Sequence, residues 1–215
     1  MAAVSESIVR EYFELQGFFV RQQRKFIAPS RGEDEEIDFF IIRPQPEPAT
    51  TSLPFILTSA EMPSIARAIV VVKGWHTESF SPAVLANAPE IFRFVEPAVF
   101  QRAVRAFGGT GTPTKILVVP ALPQAEGAKA ASVDLLRSKG VDAVIPFQTM
   151  LMDLIDQIEV NRNYQKSDLL QIIRILKNYD FFREPQLELF KAKRAKAPKQ
   201  GSPSHGPPGE TPQRR

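Results

Sequence analysis

The run Ala68-Ile69-Val70-Val71-Val72 constrains the fold more than any other part of the chain, because every residue is apolar and most are β-branched. Such residues favour extended backbone, and a strand without alternating polar residues is typical of a sheet position that is buried on both faces. The run ends abruptly at Lys73-Gly74-Trp75-His76. The sequence therefore predicts a sheet with this strand at its centre.

Helical and extended patterns alternate around this strand. An amphipathic helix is predicted over residues 5–16, strands over 18–27 and 37–42, and a loop or insertion with a short strand at 55–57 over 44–64. Beyond the central strand we predict two helices that begin with proline, one at Pro89 and one at Pro97, and the second of them ends at Phe107. The predicted elements that follow are a strand over 115–119, a helix over 130–139, a strand over 141–147, and helices over 149–159 and 167–179. A short turn between the first two strands favours antiparallel pairing, and helical crossovers later in the chain favour parallel pairing. The predicted fold class is α/β, with a mixed central sheet flanked by helices.

The positive charge of the chain is concentrated at its C-terminus. The formal net charge is +3, but residues 191–215 carry seven Lys or Arg and one Glu, which leaves −3 on residues 1–190. Proline also recurs after Pro198. We predict an α/β domain over residues 1–185 and a basic, proline-rich, disordered tail over 186–215. The tail residues Lys191, Lys193, Arg194 and Lys196 could bind nucleic acid through its phosphates, or could be a solvated terminus.

Several classes of protein are excluded by what the composition lacks. The chain has no cysteine, which removes disulfides, thiol catalysis and cysteine zinc sites, and its two histidines, His76 and His205, are too few for a histidine-rich zinc site. No apolar stretch is long enough to span a bilayer, and residues 1–10 lack the pattern of a secretory signal. We expect a cytoplasmic protein with no membrane partner.

Two charged residues stand out in the apolar strands. Asp38 is embedded in the strand over 37–42, and Lys73 ends the central strand. A carboxylate in a mostly buried strand is costly unless a partner or a metal offsets its charge. Asp38 and Lys73 are therefore the first candidates for a functional site.

The helix that ends at Gly17-Phe18, the acidic segment 32–39 and the sequence Val71-Val72-Lys73 resemble the PD-(D/E)XK nuclease superfamily, most nearly its Holliday-junction-resolvase-like members, over about residues 5–120. The resemblance implies a restriction-endonuclease-like fold and a nucleic-acid substrate. It also implies that Asp38 is a metal ligand in catalysis, that Lys73 orients or deprotonates the attacking water, and that Mg²⁺ is the cofactor. Relatives of this kind often form homodimers, so a homodimer is expected as well.

The chain departs from that family at Val71, where a second acid is expected two residues before the lysine. Valine cannot bind a metal, so the resemblance implies a degenerate site or an acid that has moved to another element. Four residues could supply the moved acid: Glu6, Glu11, Glu36 and Glu78. We take Glu11 as the metal ligand beside Asp38. The alternative is a non-catalytic interaction module, in which helices 149–179 bind a protein or nucleic-acid partner and Asp38 and Lys73 form a structural ion pair.

Overall fold

A computed structural model describes residues 2–23, 37–48, 52–108 and 111–182. Six α-helices and two 3₁₀ helices surround five strands within these ranges. The helices are α1 (Ala2–Leu15), α2 (Pro82–Asn87), α3 (Pro97–Phe107), α4 (Glu126–Ser138), α5 (Phe147–Gln157) and α6 (Asp168–Asn178), with 3₁₀ helices at Ser59–Ser64 and Pro89–Val95. The strands are β1 (Phe19–Gln22), β2 (Phe39–Ile42), β3 (Arg67–Val72), β4 (Thr114–Val119) and β5 (Ala143–Pro146).

The strands form one mixed sheet in the order β1-β2-β3-β4-β5. β2 is antiparallel to both of its neighbours, with Phe39 opposite Val70 on β3, and β3, β4 and β5 are parallel to one another. The predictions of a mixed sheet and of a central β3 are thus confirmed. Because β2 runs opposite to β3, the beginning of β2 and the ends of β3, β4 and β5 lie at the same end of the sheet.

Each face of the sheet carries its own hydrophobic core. On one face, α1, α5 and α6 contribute Phe13, Met150 and Ile173 to a core that also contains Val70. On the other face, a second core contains Val71 together with side chains from α2, α4 and the 3₁₀ helix Pro89–Val95. Alternation along β3 therefore sends successive valines into opposite cores, which explains why residues 68–72 are all apolar.

The two edges of the sheet differ. Beside β5, the N–H of Leu57 donates to the carbonyl of Val144 at 2.9 Å, and the N–H of Val144 donates to the carbonyl of Phe55 at 2.7 Å. These bonds form a single parallel bridge at Ile56 and cover that edge. β1 forms the opposite edge, where Phe19 is 71% exposed.

Local structure differs from the predictions in five respects. The segment 55–57 forms the single bridge and no strand, and the 3₁₀ helix Ser59–Ser64, with a capping box between Thr58 and Glu61, lies within the predicted loop. The helix predicted at Pro89 is a 3₁₀ helix, and α4 begins at Glu126 instead of residue 130. Helix α2 was not predicted, although Pro82 at its first turn and the Ser81 side chain, which accepts from the N–H of Val84, are ordinary start signals. The six-residue length of α2 leaves too little periodicity for a sequence pattern to reveal it.

Within the described ranges, none of the helices has the length and apolar character needed to cross a membrane.

Candidate functional site

Asp38 immediately precedes β2, and its carboxylate caps the end of β3. The N–H of Asp38 donates to the carbonyl of Val70 at 3.0 Å, which extends the antiparallel ladder by one residue. Its Oδ2 accepts a hydrogen bond from the N–H of Val72 at 2.6 Å. Ionised acceptors form the stronger hydrogen bonds in proteins, so this contact ties the two strands together. The Asp38 side chain is half-buried and is not sealed beneath its neighbours.

Lys73 follows β3 directly, one residue beyond the Val72 amide that contacts Asp38. The N–H of Lys73 donates to the carbonyl of Val118 on β4 at 3.1 Å, so its backbone is held by the sheet. Lys73 is also half-buried. The structure therefore brings the two residues proposed from the sequence to adjoining strand ends, both with access to solvent.

Glu6 on α1 lies at this same end of the sheet. The Nε2 atom of Gln22 donates to Oε2 of Glu6 at 2.6 Å. Gln22 pairs with Phe39 across the β1–β2 ladder, and the N–H of the next residue, Gln23, donates to the carbonyl of Asp38 at 2.9 Å. Glu6 is thus the α1 carboxylate that these contacts connect to Asp38.

Glu11 occupies a different position on α1. It is 7% exposed, its Oε1 lies 3.2 Å from Nη2 of Arg10, and it lines a cleft of about 670 Å³ with residues 163–167. Five residues along a helix correspond to about 7.5 Å along its axis. The contacts of Glu11 are therefore with Arg10 and this cleft, and its role as a metal ligand stays a prediction.

His76 is held against α1 by a buried serine. Oγ of Ser5 lies 2.9 Å from Nε2 of His76, and Ser5 is 1% exposed whereas His76 is exposed. The His76 ring also meets Phe147, the first residue of α5, edge-on at a centroid distance of 4.6 Å. A Cβ atom on Gly74 would lie 2.5 Å from the Ser5 hydroxyl, so glycine is required for α1 to approach this closely.

We call Glu6, Asp38, Lys73 and His76 the sheet-end site. The sequence identified Asp38 and Lys73 and included Glu6 among four possible acids, but it did not place His76 among the candidate site residues. One local signal for His76 is Gly74 directly after a strand, a position where glycine often marks the close approach of another segment. The partner of His76, Ser5, is distant in sequence and could not be predicted.

Val71, the position where the family resemblance expects an acid, is 2% exposed and belongs to the second hydrophobic core. Among the residues that the structure describes, no three His, Asp or Glu side chains are grouped so that they could hold a metal ion. Glu78, another possible acid, is exposed in the turn after Trp75, where its N–H donates to the Trp75 carbonyl at 2.8 Å.

The remaining predicted site residues lie outside the described ranges. These residues are Glu36, Lys191, Lys193, Arg194 and Lys196.

A second group of polar residues lies between α1 and α5. The Tyr12 hydroxyl and Oδ2 of Asp153 are both buried and lack a hydrogen bond of good geometry, although the two groups interact. Burial raises the pKa of Asp153, and the negative charge of Asp156 adds to this effect, while the hydroxyls of Ser59 and Tyr12 oppose it. Burial likewise raises the pKa of Tyr12, with the Asp153 charge as a further cause. Burial between the two helices is thus the main cause of both shifts in pKa.

Comparisons with protein-family models, with curated proteins and with solved structures gave no match.

Proposed function

We propose that the chain is a nuclease-like domain that binds nucleic acid and hydrolyses a phosphodiester bond at the sheet-end site, with Mg²⁺ as cofactor. The restriction-endonuclease-like fold is part of this proposal. The observation that carries it is the hydrogen bond between Asp38 and the N–H of Val72, since it fixes a carboxylate beside Lys73 at an end of the sheet that is open to solvent.

The position of the site in the sheet supports the proposal. In α/β sheets, ligands generally bind beyond the carboxyl ends of the parallel strands. Lys73 follows the carboxyl end of β3, and Phe147 follows that of β5. A bound phosphodiester there would meet the Lys73 ammonium, whose charge would offset that of the phosphate.

The acidic side chains are compatible with Mg²⁺ held jointly with a substrate. Mg²⁺ is usually bound through one or two carboxylates, several waters and the phosphate oxygens of the substrate. Asp38 and Glu6 provide two carboxylates at this end of the sheet, and each accepts a hydrogen bond. When bound, Mg²⁺ would offset phosphate charge and lower the pKa of a coordinated water. In this proposal Glu6 is the moved acid that substitutes for the one missing at Val71.

The test is nicking of supercoiled and branched DNA in the presence of Mg²⁺ or Mn²⁺. The variants are Asp38→Asn, which retains an oxygen for the Val72 amide, and Lys73→Met, which retains the length of the side chain. Each is expected to reduce cleavage by about 100-fold or more, because removal of one electrostatic contributor at a reacting centre has effects of that size. A wild-type protein that cuts no DNA, or cleavage unchanged in both variants, would refute the proposed function.

Glu6→Gln and Glu11→Gln form a matched pair that identifies the acid on α1. We expect Glu6→Gln to weaken the Mg²⁺ dependence of cleavage and Glu11→Gln to leave it unchanged. The opposite result would place the metal beside Glu11 and would require α1 to adopt a different position during catalysis. Circular dichroism and thermal unfolding of each variant check that the fold is retained.

The non-catalytic interaction module remains a second candidate, and one observation favours it. Five large apolar side chains on α6 and just after it are exposed: Ile172, Ile175, Tyr179, Phe181 and Phe182. Surface rows of this kind often contact another protein. Sedimentation velocity of the wild type and of an Ile172→Ser, Tyr179→Ser variant tests whether the row joins two copies of the chain. Dimers that dissociate in the variant, together with DNA that remains uncut, would favour this second function.

A further inference from the structure

We infer that His76 is the proton donor to the leaving oxygen in the proposed reaction and that buried Ser5 is its positioning residue. This inference rests on the proposed function and adds two residues that the sequence did not assign to the site. It begins from the contact between Oγ of Ser5 and Nε2 of His76 at 2.9 Å.

Two contacts hold the His76 ring. Its Nε2 lies 2.9 Å from Oγ of Ser5, and the edge of the ring meets Phe147. Exposed side chains normally retain several rotamers, so holding this ring in one orientation costs conformational entropy. A surface histidine with no function would gain little from being held in this way. His76 remains exposed although Ser5 beneath it is 99% buried, so an oriented imidazole faces solvent two residues after Gly74 and three after Lys73.

The contact with Ser5 determines which nitrogen of the His76 ring can donate a proton to the leaving oxygen. If Nε2–H donates to the Ser5 hydroxyl oxygen, the exchangeable proton of the imidazolium is on Nδ1. No hydrogen bond to Nδ1 exists within the described residues. The charged groups nearest to His76 along the chain are Lys73 and Glu78, α1 adds Glu6 beside Ser5, and the first turn of α5 carries no acidic residue.

The proton balance of hydrolysis defines the role of Nδ1. Water attacks phosphorus and loses one proton to solvent, and the bond from phosphorus to the leaving oxygen breaks. The imidazolium donates its Nδ1 proton to that oxygen, which leaves as an alcohol, and the neutral ring with its proton on Nε2 is then reprotonated from solvent. The hydrogen bond to Ser5 is the same before and after the transfer, so the ring does not need to reorient.

The test compares two substrates that differ in their need for a proton donor. Plasmid DNA has an alkoxide leaving group that requires a proton, whereas thymidine 5′-(p-nitrophenyl) phosphate releases p-nitrophenolate, which does not. We expect His76→Gln to cut DNA roughly 100-fold more slowly or worse, which is the lower end of the range for general acid catalysis. The same variant should hydrolyse the nitrophenyl ester at nearly the wild-type rate, and Ser5→Ala should show a smaller loss on DNA alone.

A second measurement examines the ring without relying on activity. Long-range ¹H–¹⁵N correlation spectra of the wild type should place the neutral-ring proton of His76 on Nε2, and Ser5→Ala should shift the ring toward a mixture of tautomers. A proton on Nδ1 in the wild type would overturn the role of Ser5.

The outcomes separate the two proposals. If the wild type cuts DNA, two results would overturn the inference and leave the proposed function intact. One is an equal loss of rate on both substrates in His76→Gln, and the other is an unchanged rate on DNA in that variant. A wild type that hydrolyses neither substrate would overturn both.

Discussion

Replacement of Gly74 should have a localised consequence, because Gly74 lies against Ser5 on α1. A Cβ atom there would lie 2.5 Å from Oγ and 3.2 Å from Cβ of Ser5, both on the packed face of α1. Overpacking of this kind typically costs about 1–3 kcal/mol. We therefore expect Gly74→Ala to lower the free energy of unfolding by an amount in that range, measured by urea denaturation.

Two controls accompany Gly74→Ala. Gly127 lies in α4 with nothing within 4 Å of an added Cβ, so Gly127→Ala should stabilise the protein by up to about 1 kcal/mol. Adding Ser5→Ala to Gly74→Ala removes the nearest clashing atom and should recover part of the loss. Strictly additive effects of Ser5→Ala and Gly74→Ala would contradict the proposed contact.

Asp153 gives a pH-dependent prediction at the same scale. Because burial raises the pKa of Asp153 in the folded chain, the folded state binds this proton more tightly than the unfolded state does. Ionisation of Asp153 therefore destabilises the fold. This destabilisation is greatest at pH values above the raised pKa of the folded state, and it is relieved as the pH falls toward the ordinary pKa of an aspartate. Asp153→Asn should raise the midpoint of thermal unfolding at pH 7 and flatten this pH dependence.

Asp134→Asn is the matched control for Asp153→Asn, since Asp134 is exposed on α4. If both variants had the same pH profile of thermal unfolding as the wild type, Asp153 would not be the group responsible.

Strand β3 is an example of an element whose position in the sheet could be predicted from the sequence. Its apolar run indicated a central buried strand, and the sheet places β3 third of five. Longer elements with clear periodicity, such as α1, α3 and α6, were located closely for the same reason. The short elements α2 and Ser59–Ser64 were missed because six residues carry little periodic signal.

The same limit applies to the candidate site. Asp38 and Lys73 could be proposed because a charge in an apolar strand is visible in the sequence. The choice of Glu6 or Glu11 depends on the direction of α1 relative to β1, and the contact of His76 with Ser5 spans 71 residues. Neither relation leaves a local pattern, so only the tertiary structure supplies it.

Val71→Glu tests whether the missing acid can be restored in place. The valine is 2% exposed within the second core, and a carboxylate there would lose its hydration without an offsetting partner. We expect the variant to lose several kcal/mol of stability, measured by urea denaturation, and to gain no cleavage activity. Val4→Glu is the control, since Val4 is 67% exposed. A stable and more active Val71→Glu protein would show that β3 can turn this position toward the sheet-end site.

At the scale of the whole molecule, the positive charge is concentrated at the C-terminus. The core residues that the structure describes lie between Ile8 and Ile173, whereas residues 191–215 carry a net charge of +6 and residues 1–190 carry −3. Most of the attraction for a polyanion should therefore come from the C-terminal residues, and the catalytic chemistry from the domain.

Removal of residues 191–215 separates these contributions. We expect the truncated protein to retain its unfolding midpoint, because its cores are intact. Its affinity for DNA should fall, and its salt dependence should become shallower, because fewer counterions are released on binding. Fluorescence anisotropy at several salt concentrations measures both quantities. Unchanged affinity after truncation would show that the domain itself binds DNA.

The direction of α1 has a practical consequence for anyone who purifies this protein. Because Ser5 and Glu6 lie beside the ends of β1 and β3, a peptide joined ahead of Ala2 would begin at the same end of the sheet as Asp38 and Lys73. A polyhistidine affinity tag at that position would introduce imidazoles that bind divalent metals at the end of the sheet that carries Asp38 and Lys73. Cleavage or metal affinity measured on such a protein could belong to the tag, so the tag should be removed before assay.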